Sequence, residues 1–188
     1  MMPRCPWAAR PEIYQRYHDE EWGRPEHDER RLFEKICLEG QQAGLSWLTV
    51  LQKRAAYRAA FFDFDPVAIA ALGPADLEER LQNPGLIRSR AKLNAIVHNA
   101  RALLQLHARG ETLAGLSWAL VGGRPQINDV PDLSAVPTTT PAAEQLARTL
   151  KQRGFSFIGP TTAYAYMQAM GLVDDHLNDC PCKGRGRP

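Results

Sequence analysis

The chain has 188 residues, 44% hydrophobic and 23% charged. That composition buries a core and excludes general disorder, and at roughly 150 residues per domain the length excludes two large domains. Lys and Arg total 23 against 21 Asp and Glu, so a formal charge of +2 names no partner and only its distribution is informative. No apolar run approaches the roughly 20 residues that cross a bilayer, and no apolar stretch of signal-peptide length opens the chain. Cys5, Cys37, Cys180 and Cys182 are too few and too scattered for a secreted disulfide scaffold. The expectation is a cytoplasmic protein with no membrane partner, whose cysteines are thiols or metal ligands.

In chain order, apolar positions recur at helical spacing and hardly ever alternate over strand length, which predicts an all-α fold. Tyr14, Tyr17 and His18 share one side of a first helix. Leu32, Phe33, Ile36 and Cys37 form a stripe ending near Gly40, and Leu48, Leu51, Ala55 and Ala59 form another, with Ser46 as its cap. Asp65-Pro66 opens a further helix and Pro74 with Asp76 the next. Ser89 precedes the longest stripe, Leu93, Ile96, Val97, Ala100, Leu103 and Leu104, closed by Gly110. Thr112 caps a short segment through Trp118. Thr140-Pro141 caps one that carries Leu146 and Leu150 and stops at Gly154, and a last helix runs from about Thr161 to Met170. Residues 122–140 read as a long loop, and residues from about 183 to 188 as a mobile basic tail on a single globular domain spanning 1–188.

Charge is uneven along this string. Arg80, Arg88, Arg90, Lys92, Arg101 and Arg109 follow one another with no acidic residue between them. The stretch reads either as a phosphate-facing surface or as a solvated helix face paired with acids elsewhere. Inside it lies the turn Asn83-Pro84-Gly85-Leu86-Ile87-Arg88. Gly85 removes the side chain that would hold a phosphate off the main chain, and amides at the next helix start face an anion. The turn resembles the helix-hairpin-helix element of DNA-binding repair proteins, with the second glycine replaced near Ile87 and Arg88. The aspartate such glycosylases carry shortly after the hairpin helix is missing: the next carboxylate is Glu111. A DNA-binding module without chemistry therefore stays open.

Trp7, Tyr14, Tyr17, Trp22 and Trp47 concentrate aromatic surface in the first quarter of the chain, which is ordinarily core. Glu39 follows an apolar face and precedes Gly40-Gln41-Gln42-Ala43-Gly44-Leu45-Ser46-Trp47. A carboxylate and rings beside a flexible loop can read a nucleobase and fill the hole it leaves, whereas the plain alternative is a solvated carboxylate at a helix end. Cys5 with His18, and His176 with Cys180, supply soft and borderline donors of the kind that close a tetrahedral zinc site.

Tyr17-His18-Asp19-Glu20-Glu21-Trp22-Gly23, the run LEGQQAGLSWL from Leu38 to Leu48, and Gly171-Leu172-Val173-Asp174-Asp175-His176 resemble the bacterial 3-methyladenine DNA glycosylase I family, and the likeness extends from Cys5 to about Cys182. The resemblance implies an all-helical helix-hairpin-helix glycosylase, a monomer, that hydrolyses the N-glycosidic bond of 3-methyladenine in alkylated double-stranded DNA. It would release the free base and leave an abasic site, with no lyase step. It further implies a structural zinc on Cys5, His18, His176 and Cys180, stapling the N- and C-terminal regions together, with Cys182 as a competing ligand. In the implied pocket Glu39 accepts hydrogen bonds from the base, in catalysis or recognition. Tyr14, Tyr17 and Trp47 pack on the base faces, and Trp7 borders them. Methylation at N3 makes the base cationic, so it needs little leaving-group activation, and aromatic faces attract the cation. Leu45 beside Gly44 is the expected wedge in the vacated stack, while Gly85, Arg88 and Lys92 are expected at the DNA backbone. A zinc hydrolase is the weaker rival, because four protein ligands leave no open coordination position.

Overall fold

A computed structural model describes residues 4–185. Among them the helices are α1 (Glu12–Glu20), α2 (Glu29–Gln41), α3 (Trp47–Ala60), α4 (Pro66–Ala70), α5 (Pro74–Leu81), α6 (Arg90–Ala108), α7 (Leu113–Ala119), α8 (Pro141–Gln152) and α9 (Pro160–Ala169). Their starts follow from local chemistry. The side chains of Ser46, Asp65, Ser89, Thr112 and Thr140 each accept a main-chain N–H in the first turn of the helix they precede, a cap worth about 1 kcal/mol. Past the C-terminal ends of α6 and α8, Gly110 (φ 78°) and Gly154 (φ 92°) take the left-handed conformation that stops a helix.

α2 is the central element, packing against α3, α6, α7 and α9. From Leu32 to Gln41 every residue is buried, including Glu34, Lys35, Glu39 and Gln41. The stripe expected to end near Gly40 closes with the helix at Gln41. A Cβ at Gly40 would lie 3.2 Å from the Phe157 carbonyl oxygen, so this glycine admits a neighbouring segment and does not stop the helix. One apolar cluster extends from Tyr17 to Val173, and a smaller one gathers Cys5, Cys180 and Cys182.

Two features escaped the periodicity. β1 (Gln126–Ile127) pairs in parallel with β2 (Val173–Asp174), Gln126 opposite Val173. Strands of two residues are too short to show alternation, yet they anchor the long loop to the segment after α9. Residues 183 and 184, in the described part of the expected tail, make polar contacts. Lys183 Nζ donates to the carbonyls of Asn128 (2.6 Å) and His176 (2.7 Å), and the Gly184 N–H to Asp174 (2.7 Å), so polar contacts hold the segment down. Residues 186–188 lie outside the described residues. No helix among the described residues is long and apolar enough to cross a membrane.

Candidate functional site

A cavity of about 440 Å³ opens where the N-terminal segment, α1 and the α2–α3 junction face α9. Trp7, Tyr14, Tyr17, Glu39 and Trp47 line one wall; Thr161, Tyr164, Gln168 and Asp175 line the other; Leu133 to Thr138 form part of the rim. The five pocket residues expected from the sequence therefore meet in one space, within the range of about 300–1,000 Å³ usual for small-molecule sites.

Glu39 sits in the last turn of α2 and is only 6% exposed. It is no solvated helix-end carboxylate. Burial raises its pKa, opposed by Lys35, whose Nζ lies 3.1 Å from Oε1. Lys35 also donates to the Tyr17 hydroxyl (2.5 Å) and stands 3.3 Å from the centroid of the Trp47 ring. Sequence reasoning missed Lys35; the available signal was a lysine four residues before Glu39 on one helix face. Opposite stands a second buried carboxylate that was missed. Asp175 accepts from Tyr164 (2.5 Å), Gln168 (2.9 Å) and Asn128 (2.6 Å), so it is held by neutral donors. The Trp47 indole N–H is buried with no hydrogen-bond partner among the described residues.

Below this wall the rings continue into a Cys/His cluster. Trp7 contacts Tyr14 and Trp22, each at 4.9 Å between centroids; Trp22 contacts His176 at 4.6 Å; His18 and His176 stand 4.9 Å apart. Donor atoms of His18, His176, Cys180 and Cys182 all lie within 4.8 Å of one another. Each imidazole presents its Nδ1 to a carboxylate: His18 to Asp19 (2.8 Å) and His176 to Asp174 (2.7 Å). His176 Nε2 is buried and has no hydrogen-bond partner among the described residues. Two nitrogens, two sulfurs, an orphaned buried acceptor and carboxylates behind both imidazoles fit a closed zinc site. Cys182 joins the three expected donors His18, His176 and Cys180 in this group. Cys5 is buried against Cys180 and Cys182 and accepts the Leu177 N–H at 3.5 Å. The Cys-Pro-Cys turn brings both C-terminal thiols to the same side.

At the expected DNA face, Gly44 has φ 75° with open space at its Cβ position, and Leu45 projects 41% exposed. Gly85 has no positive φ, its N–H donates to Asn83 Oδ1 (2.8 Å), and a Cβ there would stand 2.8 Å from Ala56 Cβ. Its missing side chain lets the hairpin close onto α3. Lys92 Nζ donates to the carbonyls of Gln41 (3.0 Å) and Ala43 (2.6 Å) and so buttresses the Leu45 loop. Arg80 and Arg101 likewise donate to main-chain carbonyls and Arg90 pairs with Glu78. Arg88, in the turn itself, is exposed.

Comparison with known proteins is consistent along the whole chain. A family model described as methyladenine glycosylase matches residues 7–183. The DNA-3-methyladenine glycosylase of Haemophilus influenzae is 59% identical over 183 residues, 97% of this chain and 99% of the relative. DNA-3-methyladenine glycosylase 1 of Escherichia coli is 50% identical over 187 residues, covering both chains fully. Among solved structures, a crystal structure of 3-methyladenine DNA glycosylase I superposes with a TM-score of 0.95 at 54% identity, covering 96% of this chain and 100% of the other. The Staphylococcus aureus enzyme, studied for 3-methyladenine recognition, superposes with a TM-score of 0.92 at 39% identity, covering 97% of each chain.

Proposed function

The chain belongs to the methyladenine glycosylase family, and we propose that it removes 3-methyladenine from alkylated duplex DNA by hydrolysing the N-glycosidic bond, without a lyase step. The observation that carries the reading is a buried carboxylate, Glu39, set among aromatic rings in a cavity large enough to admit a purine. The damaged nucleotide flips into the cavity. Stacking on Tyr14, Tyr17 and Trp47, about 1–3 kcal/mol per base, offsets the few kcal/mol of unstacking. Glu39 accepts from the base, and the unpartnered Trp47 N–H supplies a donor. Leu45, raised on the left-handed Gly44 and braced from behind by Lys92, fills the vacated stack.

N3 methylation leaves the base cationic, so the departing purine takes the electron pair of the N9–C1′ bond and leaves neutral. Water adds at C1′ and loses its proton to solvent. A base that leaves so readily demands less of the protein at the sugar, in keeping with the lack of an aspartate shortly after α6, where the next carboxylate is Glu111. The helix-hairpin-helix role belongs to α5, the turn of residues 82–89 and α6, with Arg88 at the phosphates. Zinc would be held by His18, His176 and Cys180, with Cys5 and Cys182 contending for the fourth position. Its contribution is structural, joining the first helix to the last segment.

Incubation with methylated duplex DNA, with the released bases separated by chromatography, tests the assignment. The expected result is free 3-methyladenine and abasic sites in the DNA. Retention of the base in the duplex overturns the reading.

A further inference from the structure

Among the described residues, two carboxylates line the cavity, and the reaction above employs one. Glu39 is matched by the Lys35 ammonium at 3.1 Å. Asp175, on the opposite wall and 3% exposed, has no cation among its hydrogen-bond partners. Its Oδ2 accepts from the Tyr164 hydroxyl (2.5 Å) and the Gln168 amide (2.9 Å), its Oδ1 from the Asn128 amide (2.6 Å). Three elements converge to make this cradle. Tyr164 and Gln168 stand four residues apart on one face of α9. Asn128 and Asp175 each follow directly on a strand of the β1–β2 pair, which the Asn128 N–H extends by donating to the Asp174 carbonyl (3.1 Å). Lys183, which reaches the same segment, spends its Nζ on the Asn128 and His176 carbonyls.

Neutral donors hold a buried carboxylate in its charged form without cancelling the charge. Burial and the Asp175 carboxylate both push the Tyr164 hydroxyl pKa up, so that hydroxyl stays a donor. A carboxylate has room for about four hydrogen bonds, and three donors leave Asp175 able to act on an electron-deficient atom in the cavity. The orientation of the base says which atom that is. In N3-methylated adenine the N–H donors that Glu39 can engage belong to the exocyclic amine, which lies across the purine from N3 and N9. With that amine at Glu39, the N9–C1′ bond points away from the Glu39 wall and toward the α9 wall.

We propose that Asp175 is a catalytic residue that faces the sugar and stabilises the cation formed there as the base leaves. The proposal rests on the assignment of the base pocket to Glu39 and its rings. As the N9–C1′ bond breaks, its electron pair departs with the purine and cancels the purine's charge, while C1′ and O4′ take up the positive charge. Asp175 remains a carboxylate as water adds at C1′ and its proton passes to solvent. Because the negative charge is fixed in place before the reaction starts, it attracts the sugar more strongly in the transition state than in the ground state, and such binding accelerates the step. The two carboxylates divide the work by environment. Glu39, offset by Lys35, holds the base, and Asp175, with neutral donors only, answers the charge on the sugar.

The test compares wild type, Asp175→Asn and Glu39→Gln by single-turnover base release from methylated duplex, by titration with free 3-methyladenine and by binding to two abasic duplexes. One duplex carries a tetrahydrofuran; the other carries a pyrrolidine whose protonated nitrogen replaces O4′, so the pair differs by one charge at the sugar. Wild type should prefer the pyrrolidine. Asp175→Asn should lower both that preference and the release rate at least about tenfold, as expected for removing one charge near the ligand at intermediate dielectric. Its affinity for free 3-methyladenine and for the tetrahydrofuran duplex should stay as in wild type, whereas a merely structural carboxylate would move both duplexes together and spare the preference. Glu39→Gln should do the reverse, weakening the free base and keeping the preference. Folded Asp175→Asn that retains either the preference or the rate overturns the proposal, as does wild type with no preference for the pyrrolidine. Should Asp175→Asn fail to fold, Glu39→Gln decides: a retained preference sustains the role of Asp175, and a lost one overturns it. Wild type that prefers the pyrrolidine duplex yet binds no free 3-methyladenine would instead sink the pocket assignment.

Discussion

Glu39 and Tyr17 show how a single polar atom acquires its role from what surrounds it. Glu39 is ionisable in a buried setting because Lys35 stands beside it, and a hydrogen bond to a charged group contributes about 1.5–3 kcal/mol. Glu39→Gln keeps the shape and removes the charge. Affinity for free 3-methyladenine should then fall roughly 10- to 100-fold in a fluorescence titration. Tyr17→Phe keeps the stacking face but takes away an acceptor from a buried ammonium. Its main effect should be on stability, about 1–3 kcal/mol, and a thermal melt should show a midpoint lowered by roughly 2–4 °C per kcal/mol. A Phe variant of unchanged midpoint would mean that the Lys35 contact contributes nothing.

At the scale of elements, the α5–α6 hairpin and the Leu45 loop are two parts of one surface, joined by Lys92. Arg88 is exposed in the hairpin turn, so Arg88→Ala should weaken binding to all duplexes alike and reduce the slope of log affinity against log salt by about 1. Lys92→Ala should act differently. Losing the bonds to the Gln41 and Ala43 carbonyls frees the loop, so base release from duplex should slow more than duplex affinity falls. Equal effects of the two substitutions on both measurements would show that Lys92 meets phosphate after all. Gly85→Ala tests the packing of the turn, since its methyl group would meet Ala56 at 2.8 Å. Overpacking of this kind costs about 1–3 kcal/mol, which calorimetry would detect.

Over the whole molecule, the Cys/His cluster and the base pocket are ends of one ring-packed wall running from His176 through Trp22 and Trp7 to Tyr14. A metal that fixes His18 also fixes α1, which carries Tyr14 and Tyr17. Purified protein should contain one zinc per chain, and a strong chelator should lower both the melting midpoint and the affinity for free base. Cys5→Ala and Cys182→Ala, compared by metal content, identify the fourth ligand: the variant that loses zinc is the one. Full stability without metal would remove the staple from the account.

What the sequence by itself determined was local or periodic. The caps at Ser46, Ser89, Thr112 and Thr140, the stops at Gly110 and Gly154 and the apolar stripes depend on neighbours within a few residues, so they are legible in the chain and hold in the fold. The pocket residues could be named because their family resemblance covers nearly the whole chain. Only the tertiary structure decided how polar groups are spent. Lys35 is buried between α1 and α3, Lys92 donates to carbonyls that the α2–α3 loop presents, and Gly85 leaves room that Ala56 occupies. The reason is that the charge state and partners of a side chain depend on burial and on groups distant in sequence, whereas a cap or a stripe depends only on backbone geometry repeated every few residues.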